Sequence, residues 1–68
     1  MKIYMKYKNI LIIKMSSLGD ILHTLPSAAA LRSHFKNAKI SWLVHPGFAD
    51  FIPKGHVIDE VIYFDKEA

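Results

Sequence analysis

Between Lys14 and the first helical residues, the stretch Ser16-Ser17-Leu18-Gly19-Asp20 gathers two hydroxyls, a backbone position without a side chain and a carboxylate. Such a group can hydrogen-bond a polyhydroxylated or phosphorylated ligand, and its carboxylate can take a proton from a ligand hydroxyl. His23 lies three residues beyond Asp20 and is the titratable side chain best spaced to join them. Each residue also has a plainer role. An acid near a helix start bonds free amides and complements the helix dipole, and on spacing alone this reading of Asp20 comes first. That environment lowers a carboxylate's pKa, leaving it ionised but a weak base until a bound substrate removes water. Ser16 and Ser17 can simply cap or face solvent, and Gly19 can relieve a turn.

Several other chemistries are excluded. No Gly-Lys-Ser/Thr follows the loop, so it is not a P-loop, and one glycine does not make the Gly-x-Gly-x-x-Gly dinucleotide fingerprint. His23, His34, His45 and His56 fall on different elements without ligand spacing, and the chain has no cysteine, so no metal site is expected. The histidines other than His23 read as surface or packing residues.

The elements that must position the loop are legible around it. Asn9 to Met15 is a nearly continuous apolar run rich in isoleucine, as in a parallel strand buried on both faces. After the loop, Ile21, Leu25, Ala28, Leu31 and Phe35 trace one helical stripe, with Arg32 and His34 off it and an end near Asn37. Pro26 leaves two possibilities. Either a short turn over 18–23 is kinked into the main helix, or Thr24 caps a helix with Pro26 in its first turn. Lys39 to Val44 alternates and then turns apolar as a second strand, and His45-Pro46-Gly47 ends it. Phe48 to Ile52 has room for one or two helical turns, and Gly55 marks a further turn. Val57 to Phe64 leads through a turn into a third strand with Val61, Ile62, Tyr63 and Phe64 as its apolar part. The Asp59-Glu60 and Asp65-Lys66-Glu67 charges read as a solvated strand end. Met1 to Lys8 lengthens the first strand or frays.

The fold class is therefore α/β: a partial Rossmann-like βαβαβ unit. Strand order 3-2-1 with right-handed crossovers puts both helices on one sheet face and leaves the other bare. At 68 residues the chain holds at most one domain, and so small a core is expected to be the amino-terminal piece (1–68) of something larger. The net charge is +3, and Lys2, Lys6, Lys8 and Lys14 all precede the first acid, Asp20, a pattern read first as a solvated leader. The apolar core 10–13 is too short for a secretory signal, and no run reaches the roughly 20 apolar residues of a membrane span. A cytoplasmic location follows, with at most peripheral membrane contact.

The stretch Lys14-Met15-Ser16-Ser17-Leu18-Gly19-Asp20-Ile21-Leu22-His23-Thr24-Leu25-Pro26 resembles the opening motif of the lipopolysaccharide heptosyltransferases, glycosyltransferase family nine. Ile40-Ser41-Trp42-Leu43-Val44, Gly47-Phe48-Ala49 and Val57-Ile58-Asp59-Glu60-Val61-Ile62 follow in the family's order, so the resemblance runs from about Asn9 to Asp65. Where family members carry acidic residues before the Gly-Phe-Ala segment, this chain has His45-Pro46. The resemblance implies the N-terminal, acceptor-side half-domain of a GT-B enzyme that transfers heptose from ADP-heptose to the Kdo-lipid A inner core with inversion. It implies Asp20 as general base, with Ser16, Ser17 and Gly19 shaping the loop around the sugar and His23 lining it. No cofactor or metal is implied, and no nucleic acid. The donor half belongs to a C-terminal domain absent from this chain, so the chain alone is expected to be inactive. Two other readings remain open: a non-catalytic nucleotide- or phosphate-binding half-domain, and a truncated remnant whose bare sheet face self-associates.

Overall fold

The computed structural model describes residues Met1–Phe64, and the 65–67 charges lie outside them. Four strands form one mixed sheet in the order β1 (Lys2–Lys6), β2 (Asn9–Ile13), β3 (Lys39–Val44), β4 (Glu60–Tyr63). Helix α1 (Leu18–His34) connects β2 to β3, and a 3₁₀ helix over Pro46–Phe51 begins the connection from β3 to β4. β2, β3 and β4 are parallel, in the order expected of the three predicted strands. This α/β arrangement is compatible with part of a Rossmann-like fold.

Met1 to Lys8 does not extend the first strand. β1 turns back on β2 as an antiparallel hairpin with Lys6 opposite Asn9, leaving Tyr7 and Lys8 as the turn. Tyr7 has φ +56°, a conformation that glycine or asparagine usually supplies, so the hairpin has no ordinary turn signal.

The core lies on one sheet face. Ile10 and Ile12 of β2 and Ile40, Trp42 and Val44 of β3 point to the same side because side chains alternate along a strand. Ile21 and Ala28 of α1 and Ile52 and Ile58 beyond β3 complete the cluster. The intervening residues Leu11, Ile13 and Leu43 are only half-buried and Ile62 is exposed, so β2 is not covered on both faces. The expected bare face is present.

α1 runs unbroken through Pro26, contrary to both readings of its start. Proline removes the amide that would bond the Leu22 carbonyl, but Leu22, His23, Pro26 and Ser27 are all exposed, where water can serve instead. Thr24 is not the cap. It is buried, and its hydroxyl donates to the Asp20 carbonyl one turn back at 2.8 Å. Thr24 thus takes a place in the buried face with Ile21 and Ala28, while Phe35, expected on that stripe, is the exposed C-cap whose amide bonds Leu31.

Asp59 is also more than a solvated charge. Its Oδ2 accepts the Ile40 amide at 2.8 Å and pairs with the Arg32 guanidinium, and its own amide donates to the Ile40 carbonyl at 2.9 Å. Arg32 further donates to the carbonyls of Val57 (3.0 Å), Lys36 (3.1 Å) and Ala38 (2.9 Å). One guanidinium fork therefore joins the end of α1, the entry to β3 and the approach to β4. Glu60 pairs with Lys39 at 3.6 Å across the adjacent strand.

The Ile40 amide, and then Arg32, hold the Asp59 carboxyl below its usual pKa. A carboxylate whose folded pKa is lowered contributes stability above its unfolded value, near 4, and loses that contribution as pH falls through the folded value. We expect Asp59→Asn to lower unfolding free energy at pH 7 by about 1 kcal/mol, given the half-exposed pair. The gap from wild type should close as denaturant melts are taken below about pH 4. A gap independent of pH would remove the charge from this account.

Candidate functional site

β2 ends at Ile13, and the chain crosses its carboxyl end before entering α1 at Leu18. Three hydrogen bonds fix that crossing. The Lys14 amide donates to the Leu43 carbonyl (3.3 Å), the His45 amide to the Met15 carbonyl (3.1 Å), and the Trp42 indole N–H to the Lys14 carbonyl (3.0 Å). The first two continue the parallel ladder past the strand ends, and the third comes from a fully buried ring. The loop therefore starts from a fixed point.

Ser17 is the N-cap residue, and the Ile21 amide closes the first helical turn on its carbonyl at 2.9 Å. The Ser17 hydroxyl makes no capping bond. Asp20 occupies the third helical position, where an acidic side chain reaches back toward the N-cap amide as half of a capping box. The Lys14 ammonium lies 3.4 Å from Asp20 Oδ2. Lys14 charge and hydrogen bonding lower the Asp20 pKa most, the Ser17 amide and His23 add to this, and desolvation opposes it. Asp20 nevertheless keeps 62% of its side-chain surface open, so its oxygens are not consumed by the fold.

Ser16, Ser17, Gly19, Asp20 and His23 are all exposed around the start of α1. They do not form one closed pocket. Ser16 lines a hollow of about 380 Å³ with Met15, His45, Phe48 and Phe64, and Asp20 stands outside that lining. Gly19 is not there to relieve a turn: its φ is not positive, and a Cβ built on it would meet no atom within 4 Å. Neither backbone geometry nor packing calls for glycine at this position. Among the described residues, no three metal-ligating side chains lie together.

Two participants are new. Lys14 closes the apolar run and sits six residues before Asp20, yet nothing in the spacing announces that they pair across the turn. His45 caps the 3₁₀ helix through Nδ1, which accepts the Gly47 amide at 3.1 Å, while its ring also faces the hollow. Its capping role was foreshadowed by the following Pro46-Gly47, since proline favours the first helical position.

A mixed α/β sheet whose β2, β3 and β4 are parallel, with polar and charged groups at a strand's carboxyl end and a helix's amino end, has the layout of a ligand-binding α/β protein. In sequence, the chain is similar to a segment of the lipopolysaccharide heptosyltransferases. It is 43% identical to lipopolysaccharide heptosyltransferase 1 of Escherichia coli (strain K12) over 51 residues, 75% of this chain and 16% of that protein. The corresponding protein of Salmonella typhimurium is 43% identical over 54 residues, 78% of this chain and 17% of that one. That of Pseudomonas aeruginosa is 40% identical over 47 residues, covering 69% and 13%. The chain thus spans about a sixth or less of the length of these curated relatives. A 51-residue match within 68 residues must include positions 18–51, hence Gly19, Asp20 and His23. No family model matches the chain, and no solved structure does.

Because nothing packs against Gly19, Gly19→Ala should leave the thermal midpoint unchanged or raise it, by at most about 1 kcal/mol of helix propensity. A lowered midpoint in a calorimetric scan would show that the fold itself needs glycine there.

Proposed function

We propose that this chain is the acceptor-side half-domain of an inverting GT-B glycosyltransferase that passes heptose from ADP-heptose to the Kdo-lipid A inner core of lipopolysaccharide. The reading places it in the cytoplasm, peripheral to the inner membrane. The observation that carries it is the Asp20 carboxylate, ionised and largely open, at the meeting of β2 and α1 within the matched sequence.

In this reading an acceptor hydroxyl approaches the anomeric carbon from the face opposite the diphosphate. As the new C–O bond forms, the bond to the ADP oxygen breaks, and the hydroxyl proton passes to an Asp20 oxygen. The same negative charge favours the positive character that develops on the sugar ring. Ser16 and Ser17 supply hydroxyls for the bound sugar, the bare Gly19 lets it approach the backbone, and His23 borders it. No metal step is invoked.

Lys14 adds a control on the base. While its ammonium rests on Asp20, the carboxylate is a poor proton acceptor. A substrate anion that draws Lys14 away, together with the loss of water, raises the Asp20 pKa toward the working range. Binding then strengthens the base where and when it is used.

The donor nucleotide site is assigned to a further domain, so the 68-residue chain alone should release no ADP from ADP-heptose with an acceptor present; turnover above the buffer rate would refute that assignment. The base is tested by chimera. Replacing the matching 51 residues of the E. coli relative with those of this chain should preserve transfer, and Asp20→Asn in the chimera should cut kcat by about 10²- to 10⁴-fold with donor affinity unchanged. If Asp20 only supports the helix, the thermal midpoint should drop and residual activity should track the folded fraction.

A further inference from the structure

We propose that the hairpin formed by β1 and the start of β2, with Tyr7 at its tip, is a docking element for an anionic lipid surface. β1 and Tyr7 lie ahead of Asn9, where the family resemblance begins, and take no part in the proposed chemistry.

All five residues of β1 are exposed, so neither the helix layer nor anything on the open face covers this edge strand. Lys2, Tyr4 and Lys6 project from the open face, while Ile3 and Met5 project from the helix side, opposite Ile12 and Ile10. The strand thus shows apolar side chains on both faces, interleaved with ammonium groups. The outer edge of β1 is unpaired, and its lysines oppose the addition of another strand, so charge rather than strand pairing governs what this element can meet.

Tyr7 sharpens the case. It is 93% exposed and sits at φ +56°, where an aromatic residue is disfavoured and an asparagine or glycine would be relaxed. The Lys6 ammonium lies over the Tyr7 ring, 5.9 Å from its centre. The fold gains nothing visible from a tyrosine at this point. An observed conformational cost without a packing return points to a role outside the fold.

Charge selects the partner. Lys2, Lys6 and Lys8 lie in or beside the hairpin, and no acid occurs before Asp20. A surface of negative charge would be complementary over the whole element. The aliphatic side chains of Met1, Ile3 and Met5 then favour a bilayer interface over a nucleic acid or an acidic peptide, because they can enter the acyl boundary while tyrosine rings and ammonium groups stay at the headgroups.

The test is co-sedimentation of the 68-residue chain with vesicles of phosphatidylcholine alone or mixed with phosphatidylglycerol. Partition into the anionic vesicles should be at least about tenfold stronger and should weaken with salt. Replacing Lys2, Lys6 and Lys8 together by Gln should reduce it about 100-fold, roughly fivefold per lysine, while arginine at the same positions should retain it. Tyr7→Asn should weaken partition several-fold while the thermal midpoint holds or rises, a combination that a purely structural tyrosine would not give. Equal partition into neutral vesicles would overturn the proposal, as would a triple-glutamine variant that binds like wild type. So would two other outcomes: equally tight, lysine-dependent binding to single-stranded RNA, or a lipid-free dimer that the glutamine substitutions abolish. None of these outcomes bears on Asp20, so the docking element and the transfer chemistry stand or fall separately.

Discussion

The site depends on where a buried tryptophan finds its hydrogen-bond acceptor. Trp42 is wholly enclosed at the centre of the core, and an indole N–H left unpaired there would cost its full desolvation penalty. The partner it finds is the Lys14 carbonyl, the first carbonyl past the end of β2. Satisfying the largest core residue therefore fixes the departure point of the loop. With the Lys14 amide on Leu43 and the His45 amide on Met15, the chain crosses from strand to helix along a defined course, and Asp20 emerges within the first turn of α1. The core and the site share one strand.

The opposite end of β3 is held by different means. There Arg32 collects three carbonyls and the Asp59 carboxylate, and Asp59 in turn takes the Ile40 amide. Arginine suits this position because its flat fork can serve several acceptors at once, which a lysine could not do. Between the two fixings lies Ile40 to Trp42, and both helical connections hang from them. A small sheet with one bare face has little apolar burial to spare, so directional contacts at the strand ends carry an unusual share of its specificity.

What the sequence revealed follows the range over which each signal acts. Lys39 to Val44 alternates and then turns apolar, and β3 has those bounds. The crossing at Ser16 to Asp20 was visible because an apolar run, a polar loop and a helical stripe meet there. Tyr7 hid the hairpin, since it bends the chain without glycine, asparagine or proline. Pro26 misled because its cost depends on whether the freed carbonyl faces water, a tertiary fact. Arg32 and Asp59 are 27 residues apart, and no local pattern links them. At the site, Asp20 and its neighbours were legible as types, but Lys14 as a partner was not, because a pairing across a turn is set by the path of the backbone.

That pairing also bears on a difficulty in the proposal that an exposed carboxylate, Asp20, acts as a base. In water, beside an ammonium, Asp20 holds a proton too weakly to compete for one from a sugar alcohol. Burial alone would raise its affinity, but burial of an intact Lys14–Asp20 pair would leave each charge neutralising the other. Separation of the pair is the step that matters. Under the proposed function an anionic group at the amino end of α1 would supply it, since the helix dipole and Lys14 both attract negative charge while Asp20 is repelled by it. In the proposed chemistry the base would then be weak in the empty site and strong in the filled one, and the same lysine would be the contact through which substrate charge is sensed.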